Sequence, residues 1–200
     1  MAKQAASYAV QQLQPDDRVS VTIYDDEVET IVPSTLATNK SILLARIESV
    51  QCGGSTALHA GWVEGGLQVS RHLDKARLNR VLLLTDGLAN VGETNPDRIA
   101  SDVRGLMQRG VSTSALGIGD DYDEDLIQAV ANSGDGNYHH MESARQLPEV
   151  FQTELQGLMA TFGHKVSLGL EPQHGVEVRE VCNRLERAST GRWLLSNLIA

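Results

Sequence analysis

An acidic residue at the end of an apolar run is the first place where this sequence could do chemistry. Asp86 follows the apolar residues 81–84 and Thr85, and Gly87 comes directly after it. The unbroken apolar run predicts a strand that is buried on both faces, and the residues after it predict a turn. Open α/β sheets bind their ligands at the carboxyl ends of such strands. A carboxylate in this position suits a metal ligand, a nucleophile or a cap of the following loop.

A serine and a histidine upstream do not fit a nucleophilic site. Ser55 lacks the Gly-x-Ser-x-Gly setting of a nucleophile elbow. His59, four residues after Ser55, has no evident acid to orient its ring. We therefore interpret Ser55 as part of a loop.

Two further polar clusters are better explained by local structure than by metal binding. Residues 120–125 are acidic at alternate positions, but Leu126 stands where a calcium loop needs glycine, and Asn132 where it needs glutamate. These acids suit the amino end of a helix. His139 and His140 are adjacent and point to opposite faces of a strand, so they cannot comfortably share one metal ion.

The composition excludes several classes of partner. The net charge of −9 argues against binding to nucleic acid or to an anionic membrane. No apolar run reaches the roughly 18 residues that a membrane span needs. Cys52 and Cys182 lie far apart and form no metal-binding pair, so neither a disulfide framework nor a zinc site is predicted. The cellular compartment stays open.

Helical and strand patterns alternate through most of the chain, which predicts an α/β fold with a doubly wound, mainly parallel sheet. From His164 onward the pattern becomes one of short alternating strands. We therefore divide the chain into a domain over residues 1–163 and a β-rich segment over residues 164–200, the start of a second domain. The predicted elements are helices at 2–14, 40–50, 57–73, 96–109, 126–133 and 147–162, and strands at 19–24, 28–32, 81–84, 111–118 and 138–141.

Three motifs in this order resemble the von Willebrand factor A-type domain in its bacterial form. They are Gly53-Gly54-Ser55-Thr56, Leu84-Thr85-Asp86-Gly87 and Ala115-Leu116-Gly117-Ile118-Gly119. The resemblance covers residues 1–163 and implies a Rossmann-like sheet with a metal-dependent adhesion site at its carboxyl edge. In that site a Mg²⁺ or Mn²⁺ ion is held by a threonine, an aspartate and an Asp-x-Ser-x-Ser loop.

The resemblance assigns site residues to particular positions of this sequence. Thr56 matches the family's threonine and Asp86 its aspartate, so these two are the expected metal ligands. An acidic side chain of a protein partner would complete the metal shell. The expected partner-binding surface lies around them and contains Gly54, Ser55, Ala57, Gly87, Leu88 and Asn90.

One part of the family pattern has no match here. The first strand and the Asp-x-Ser-x-Ser loop of the family would precede the helix that begins at residue 2, so the metal site is expected to be incomplete. The same absence is expected to leave a gap in the sheet between the strand at Val19 and the strand at Val81. Exposed strand edges invite pairing. The gap is expected either to close, with the two halves of the sheet sliding together, or to be filled by another strand. The expected sources of a filling strand are residues 166–170 of the tail or a second copy, as a strand-swapped homodimer.

The sequence thus predicts a protein-interaction module and not an enzyme. Two alternatives remain open beside it, a metal-free scaffold and a truncated, non-functional fragment. The third alternative is a hydrolase or phosphotransferase that uses Asp86, but no base, phosphate-binding loop or second catalytic acid accompanies it.

Overall fold

The chain forms two compact units, residues 1–152 and residues 153–200. The computed structural model describes residues 2–51, 53–159, 161–163, 167–169, 192–194 and 198–199. The elements that begin in the first unit are α1 (Ala2–Gln12), β1 (Arg18–Tyr24), β2 (Val28–Leu36), α2 (Lys40–Glu48), α3 (Leu58–Ser70), β3 (Arg80–Thr85), α4 (Pro96–Gln108), β4 (Ser112–Ile118), α5 (Glu124–Ser133), β5 (Tyr138–Met141), a 3₁₀ turn (Ala144–Gln146) and α6 (Leu147–Met159). The second unit contains β6 (Thr161–Gly163), β7 (Ser167–Leu168), β8 (Trp193–Leu194) and β9 (Leu198–Ile199).

A three-stranded parallel sheet in the order β3-β4-β5 is the centre of the first unit. Side chains alternate along β3, so Val81 and Leu83 pack with α3, α4 and α5 on one face. Leu82 and Leu84 pack with α1 and the start of α6 on the other face. Helices on both faces of a parallel sheet confirm the predicted doubly wound α/β fold.

The β1–β2 hairpin is a separate antiparallel pair. It packs against α1 and α2 through a third apolar cluster that contains Val10, Val32 and Ile47. β2 extends to Leu36, beyond the end predicted at Val32, although Pro33 stands inside it. Proline is tolerated because β2 is an edge strand, where its missing N–H breaks no ladder bond.

The predicted interruption of the sheet lies between β1 and β3. Among the described strands, β1 pairs only with β2, and β3 pairs only with β4. The described part of the tail strand that we considered as a filler is Ser167–Leu168, and it pairs antiparallel with Trp193–Leu194.

Asn39 stands just before α2, a position where asparagine often caps a helix. Its side chain accepts a hydrogen bond from Ser41 Oγ at 2.8 Å instead and caps no backbone N–H of α2. Two predicted helix ends were also wrong. Phe162 belongs to β6 and not to the preceding helix, which ends at Met159. α3 ends at Ser70, so Leu73 lies beyond it. Leu73 continues the helical periodicity because it still packs against the core cluster that α3 covers.

Among its described residues, the second unit contains two short antiparallel pairs, β6 with β9 and β7 with β8. α6 starts in the first unit and continues to Met159 without a break. For this reason we keep the domain boundary near Gly163 as a proposal. The predicted turn at Pro172-Gln173-His174-Gly175, the strand after it and both cysteines lie outside the described residues.

In the part of the chain that the structure describes, no helix combines the length and the apolar character that a membrane crossing requires.

Candidate functional site

The turn after β3 is held by the side chain of Thr85. Thr85 is 4% exposed, and its Oγ1 donates a hydrogen bond to the Gly87 carbonyl oxygen at 2.9 Å. The Gly87 N–H donates a longer hydrogen bond back to Thr85 Oγ1, at 3.4 Å. Asp86 lies between these two residues and is exposed. Thr85 therefore fixes the turn so that the Asp86 carboxylate faces solvent at the carboxyl end of the sheet.

Two loops meet at this edge through reciprocal hydrogen bonds. The Thr56 N–H donates to Asn90 Oδ1 at 2.8 Å, and the Asn90 N–H donates to the Thr56 carbonyl oxygen at 3.2 Å. This Thr56–Asn90 clamp joins the loop before α3 to the loop after β3. A Cβ atom at Gly87 would lie 3.4 Å from Thr56 Oγ1. The Thr56 hydroxyl therefore lies over the turn that contains Asp86, and the two predicted ligands share one edge.

The other residues of the expected partner-binding surface differ in their exposure. Gly54 has open space around it, and Leu88 is 57% exposed. Ala57 is buried, and its N–H donates to the Asp25 carbonyl oxygen at 2.9 Å. Ser55 is half-buried. Ala57 therefore supports the loop from below, whereas Gly54 and Leu88 are accessible to a partner.

Asp25 is a site residue that sequence reasoning missed. It follows β1 and packs so closely on Gly53 that a Cβ atom there would lie 2.2 Å from Asp25 Oδ2. Its Oδ1 accepts a hydrogen bond from the Glu27 N–H at 3.0 Å. The acidic segment at residues 25–27, between the two predicted strands, indicated only a hairpin connection. Its position at the same sheet edge as Thr56 and Asp86 is the signal that could have indicated a site residue there.

Tyr24 links the hairpin to this edge. Its phenol Oη donates a hydrogen bond to the Leu84 carbonyl oxygen, and its ring packs on Gly61 of α3. Burial raises the pKa of the Tyr24 phenol above its usual range, and the nearby Asp86 carboxylate raises it further. The phenol therefore remains protonated and serves as a hydrogen-bond donor.

The loop over residues 119–122, which follows β4, is held by a hydrogen-bonded aromatic cluster. The Tyr122 ring covers Gly117, where a Cβ atom would lie 2.0 Å from its Cζ. Tyr122 Oη lies 2.6 Å from Tyr138 Oη and 2.6 Å from His140 Nδ1. Burial and the bond from Tyr122 raise the pKa of Tyr138 above its usual range. This cluster stiffens the loop over residues 119–122 but places no free nucleophile there.

Thr56 stands just before α3, where a threonine often caps a helix, but no side chain caps α3 and its N-cap residue is Ala57. The interpretation of His59 was wrong. His59 does have an acidic partner, because its Nε2 lies 3.0 Å from Asp102 Oδ2. Asp102 comes from α4, far away in sequence, so the pattern around His59 could not predict it. Among the described hydrogen bonds, none joins His59 to Ser55, so no catalytic triad forms.

The acidic run at residues 120–125 has the structural role that we predicted. Asp123 caps α5, since its Oδ1 accepts a hydrogen bond from the Leu126 N–H at 3.0 Å. Glu124 and Asp125 follow in the first turn of the helix. Negative side chains at a helix amino end are stabilised by the helix dipole.

The donor set at the Thr56–Asp86 edge is too small to enclose a magnesium ion. Mg²⁺ takes about six oxygen ligands in octahedral geometry, often with several waters. Thr56 and Asp86 offer a hydroxyl and a carboxylate, which are oxygen donors of a suitable kind. Among the described residues, no three His, Cys, Asp or Glu side chains converge on one point that could hold a metal. Among the described residues, the edge therefore offers two oxygen donors of a suitable kind, fewer than a magnesium ion takes.

Comparisons with known proteins agree with this fold. The family model described as von Willebrand factor type A domain matches residues 1–153. The uncharacterized protein YfbK of Escherichia coli K12 is 29% identical over 175 residues, which cover 86% of this chain and 30% of that protein. The chain thus spans less than a third of the length of this relative.

Two solved structures have a similar fold. A von Willebrand factor type A structure from Catenulispora acidiphila matches with a TM-score of 0.71 and 17% identity, over 83% of this chain and 39% of that one. Proximal thread matrix protein 1 from the mussel byssus, with a zinc-occupied MIDAS motif, matches with a TM-score of 0.61 and 20% identity, over 76% of this chain and 39% of that one. At these identities the likeness concerns the fold. The family model matches about three-quarters of this chain. The chain therefore belongs to the von Willebrand factor type A domain family.

Proposed function

We propose that this chain is a protein-interaction module that binds its partner at the carboxyl edge of β3. The observation that carries the proposal is the Thr56–Asn90 clamp, which joins two loops beneath an exposed Asp86. A surface with a fixed backbone loses little conformational entropy when a partner binds. Exposed Leu88 beside the acid adds an apolar contact. Gly54, Ser55 and Gly87 allow a partner to approach the loop backbone closely.

A divalent cation is the second part of the proposal. Thr56 Oγ1 and the Asp86 carboxylate would hold Mg²⁺ or Mn²⁺ at one side, while water and an acidic side chain of the partner occupy the others. Oxygen donors of this kind suit both ions. The family membership and the zinc-occupied MIDAS motif named for the mussel protein support this extension. Because this chain contributes few ligands, the free ion is expected to bind weakly.

The metal part can be tested by calorimetric titration with MgCl₂ and MnCl₂. The parent chain is compared with Asp86→Asn, which keeps the shape of the side chain and removes its charge. Glu29→Gln is the matched control, because Glu29 is an exposed acid on β2. Saturable heat in the parent and in the control, absent in Asp86→Asn, is the expected result. Equal heats in all three proteins would contradict a cation at Asp86.

The interaction part needs its own measurement. An acidic synthetic peptide is titrated with and without Mn²⁺, into the parent and into Leu88→Glu. Leu88→Glu introduces a negative charge beside the proposed contact and is expected to abolish binding of the acidic peptide. Binding that is unchanged in Leu88→Glu would remove this edge as the recognition surface.

A metal-free interaction surface is the second candidate. It is favoured by the small donor set, since no group of three acidic, histidine or cysteine ligands is present among the described residues. Peptide binding that persists in Asp86→Asn and in the presence of a chelator would support it. The non-enzymatic character predicted from the sequence agrees with the family, whose domains act as interaction modules.

A further inference from the structure

An open groove runs between β2 and α3 on the surface of the first unit. Its volume is about 650 Å³, and its described lining consists of Val28 and Thr30 from β2 and of His59, Ala60, Val63 and Glu64 from α3. Pockets of this size accommodate ligands and side chains of partners. The function proposed for the Asp86 edge uses none of these six residues. We call this surface the β2–α3 groove.

The solvent-facing side of α3 is apolar beside the groove. The exposed residues of this helix are Ala60, Val63, Leu67 and Ser70, which follow one another at helical spacing and form one stripe. Val63 is 37% exposed and Leu67 is 51% exposed. The opposite side of the helix is buried in the core through Trp62. Surface helices ordinarily turn charged residues to solvent, so a second apolar side indicates a contact surface.

Glu64 is the one acidic residue of α3, and it lines the groove beside this stripe. Its Oε1 accepts hydrogen bonds from Gln68 Nε2 at 2.7 Å and from Thr30 Oγ1 at 3.0 Å, which fix the carboxylate. The bond from Gln68 holds the pKa of the Glu64 carboxyl below its usual range, so the group is charged at neutral pH. Among the described hydrogen bonds, none reaches Glu64 Oε2. A fixed, charged acceptor therefore lies next to apolar surface.

The charges around the groove favour a cationic partner. The His59 ring forms a wall of the groove; it stacks on Trp62 with ring centres 6.0 Å apart, and its Nε2 lies 3.0 Å from Asp102 Oδ2. Asp102 and Glu64 thus bring two carboxylates to this surface, and the described lining contains no lysine or arginine. Arg71, at the end of α3, acts on Glu64 but forms no described ion pair with it. Together with the net charge of −9, this arrangement attracts basic groups.

β2 is protected against the addition of a further strand at the groove. Pro33 has no N–H to offer. The Ser34 N–H donates to Gln68 Oε1 at 3.1 Å, and Arg46 Nη1 donates to the Ile31 carbonyl oxygen at 2.9 Å. Such devices prevent strand pairing at an exposed edge. The occupant therefore docks through its side chains, as an amphipathic helix does.

A second copy of this chain is an unsuitable occupant. A two-fold symmetric dimer through the stripe would bring both Glu64 carboxylates into one interface. Each copy also carries a net charge of −9. Like charges that meet at an interface oppose association. A partner with basic groups has the complementary charge.

We infer that the β2–α3 groove binds an amphipathic helix of a partner protein, whose apolar face packs on Val63 and Leu67 and whose arginine donates to Glu64 Oε2. Arginine suits this position because its apolar stem can lie along the stripe and its guanidinium is more weakly hydrated than an ammonium group. From Ala60 to Ser70 the stripe extends for about 15 Å, the length of about three helical turns. Binding of this kind needs neither the cation nor the Asp86 edge.

Fluorescence anisotropy of labelled peptides, measured on the whole chain in the presence of a chelator, tests this inference. The chelator removes any cation-dependent binding at Asp86. The probe is an alanine-based helical peptide with leucines at i, i+4 and i+7, an arginine at i+3 on the same face, and glutamines elsewhere for solubility. Its control carries citrulline in place of arginine, which keeps the shape and removes the charge. The arginine peptide should bind saturably and at least about tenfold more tightly than the citrulline peptide.

Leu67→Lys tests the apolar stripe. It replaces an apolar contact by a positive charge and should abolish binding of the arginine peptide. Ile42→Lys is the matched control, because Ile42 of α2 is 53% exposed and lies outside the groove. The control should bind the peptide like the parent. Equal affinities of Leu67→Lys and Ile42→Lys would overturn the inference.

Glu64→Gln tests the position of the arginine. It keeps an Oε1 acceptor for Gln68 and Thr30, and it should weaken the arginine peptide about tenfold while leaving the citrulline peptide unchanged. Glu29→Gln is the matched control, because Glu29 is an exposed acid on β2 whose side chain points away from the face of Val28 and Thr30. Equal changes for both peptides in Glu64→Gln would overturn the contact between arginine and Glu64.

Three other outcomes would also overturn the inference. The first is an arginine peptide that shows no saturable binding to the parent. The second is binding that appears only when Mn²⁺ replaces the chelator, which would assign the peptide to the Asp86 edge. The third is a dimer that forms with rising protein concentration and is lost in Leu67→Lys, which would assign the stripe to a second copy.

Discussion

Single hydrogen-bonded side chains hold the hairpin and the site loops against the helices. Glu64 of α3 is one of them: its Oε1 accepts from Gln68 Nε2 at 2.7 Å and from Thr30 Oγ1 at 3.0 Å. The bond from Gln68 holds the pKa of the Glu64 carboxyl below its usual range, and the bond from Thr30 acts in the same direction. Gln68 in turn accepts from the Ser34 N–H. The charge of Glu64 therefore orders a network that spans α3 and β2.

This network predicts a loss of stability in acid. A carboxyl whose pKa is lower in the folded state binds protons more readily when unfolded, so its contribution is present above its ordinary pKa of about 4.5 and disappears as the pH falls through the folded value. We expect the free energy of unfolding to fall between about pH 6 and about pH 3, and to fall less steeply in Glu64→Gln. Urea unfolding at the two pH values measures both slopes, and identical slopes would exclude Glu64 as a contributor.

Asn90 predicts a second effect at the residue scale. Asn90→Ala removes the acceptor for the Thr56 N–H and is expected to lower the free energy of unfolding by about 1 kcal/mol. It should also loosen the loop that carries Thr56, which faster amide exchange at Thr56 would detect. Asn132→Ala on α5 is the control, since Asn132 is exposed and alanine favours a helix. A control as destabilised as Asn90→Ala would contradict the clamp.

At the scale of elements, two glycines allow neighbouring segments of the chain to pack closely on β4. Gly117 lies under the Tyr122 ring, and a Cβ atom at Gly136 would lie 2.1 Å from the Thr113 carbonyl oxygen. Glycine is needed at these positions because no side chain can be accommodated there. The loop over residues 119–122 can therefore fold back over the strand only if β4 has no side chain at Gly117.

Gly117→Ala is the corresponding prediction. The added methyl group would displace the Tyr122 ring and should destabilise the fold by about 1–3 kcal/mol. Gly105→Ala on α4 is a matched control, because nothing lies within 4 Å of a Cβ atom there and glycine inside a helix is unfavourable. It should stabilise the chain by up to about 1 kcal/mol. Thermal unfolding of both variants measures these changes in stability. A Gly117→Ala variant as stable as the parent would refute the packing of the Tyr122 ring on Gly117.

At the scale of the whole molecule, α6 determines where the chain can be divided. Leu147 and Phe151 of α6 are both buried in the cluster that covers β3, β4 and β5. Phe151 is fully buried, and loss of such a side chain costs about 3–5 kcal/mol. The first compact unit therefore depends on the beginning of a helix that continues into the second unit.

Two shortened chains test this division. A chain that ends at Gly163 keeps all of α6 and should unfold cooperatively, whereas a chain that ends at Gln146 loses Leu147 and Phe151 and should not fold. Circular dichroism during heating distinguishes the two outcomes. Failure of the longer chain to fold would show that the first unit needs the second, contrary to the proposed boundary at Gly163.

Local patterns in the sequence were sufficient to predict most of the elements and the fold class. The apolar run before Asp86 becomes β3, and the Asn95-Pro96 pair begins α4, with Asn95 Oδ1 accepting from the Asp97 N–H at 3.0 Å. The gap between β1 and β3 was also predicted, through the resemblance to the family. The elements, unlike the gap, depend on residues that are close in sequence, whose backbone preferences and periodicity are local properties.

Contacts between distant residues were decided only by the tertiary structure. The pairing of His59 with Asp102, the Thr56–Asn90 clamp, the packing of Asp25 on Gly53 and the Tyr24 bond to Leu84 each join residues of different elements. No spacing in the sequence encodes them, because they depend on how the sheet brings separate loops to one edge. The sequence by itself thus determined the elements and the fold class, and the folded chain determined which side chains meet at the sheet edge.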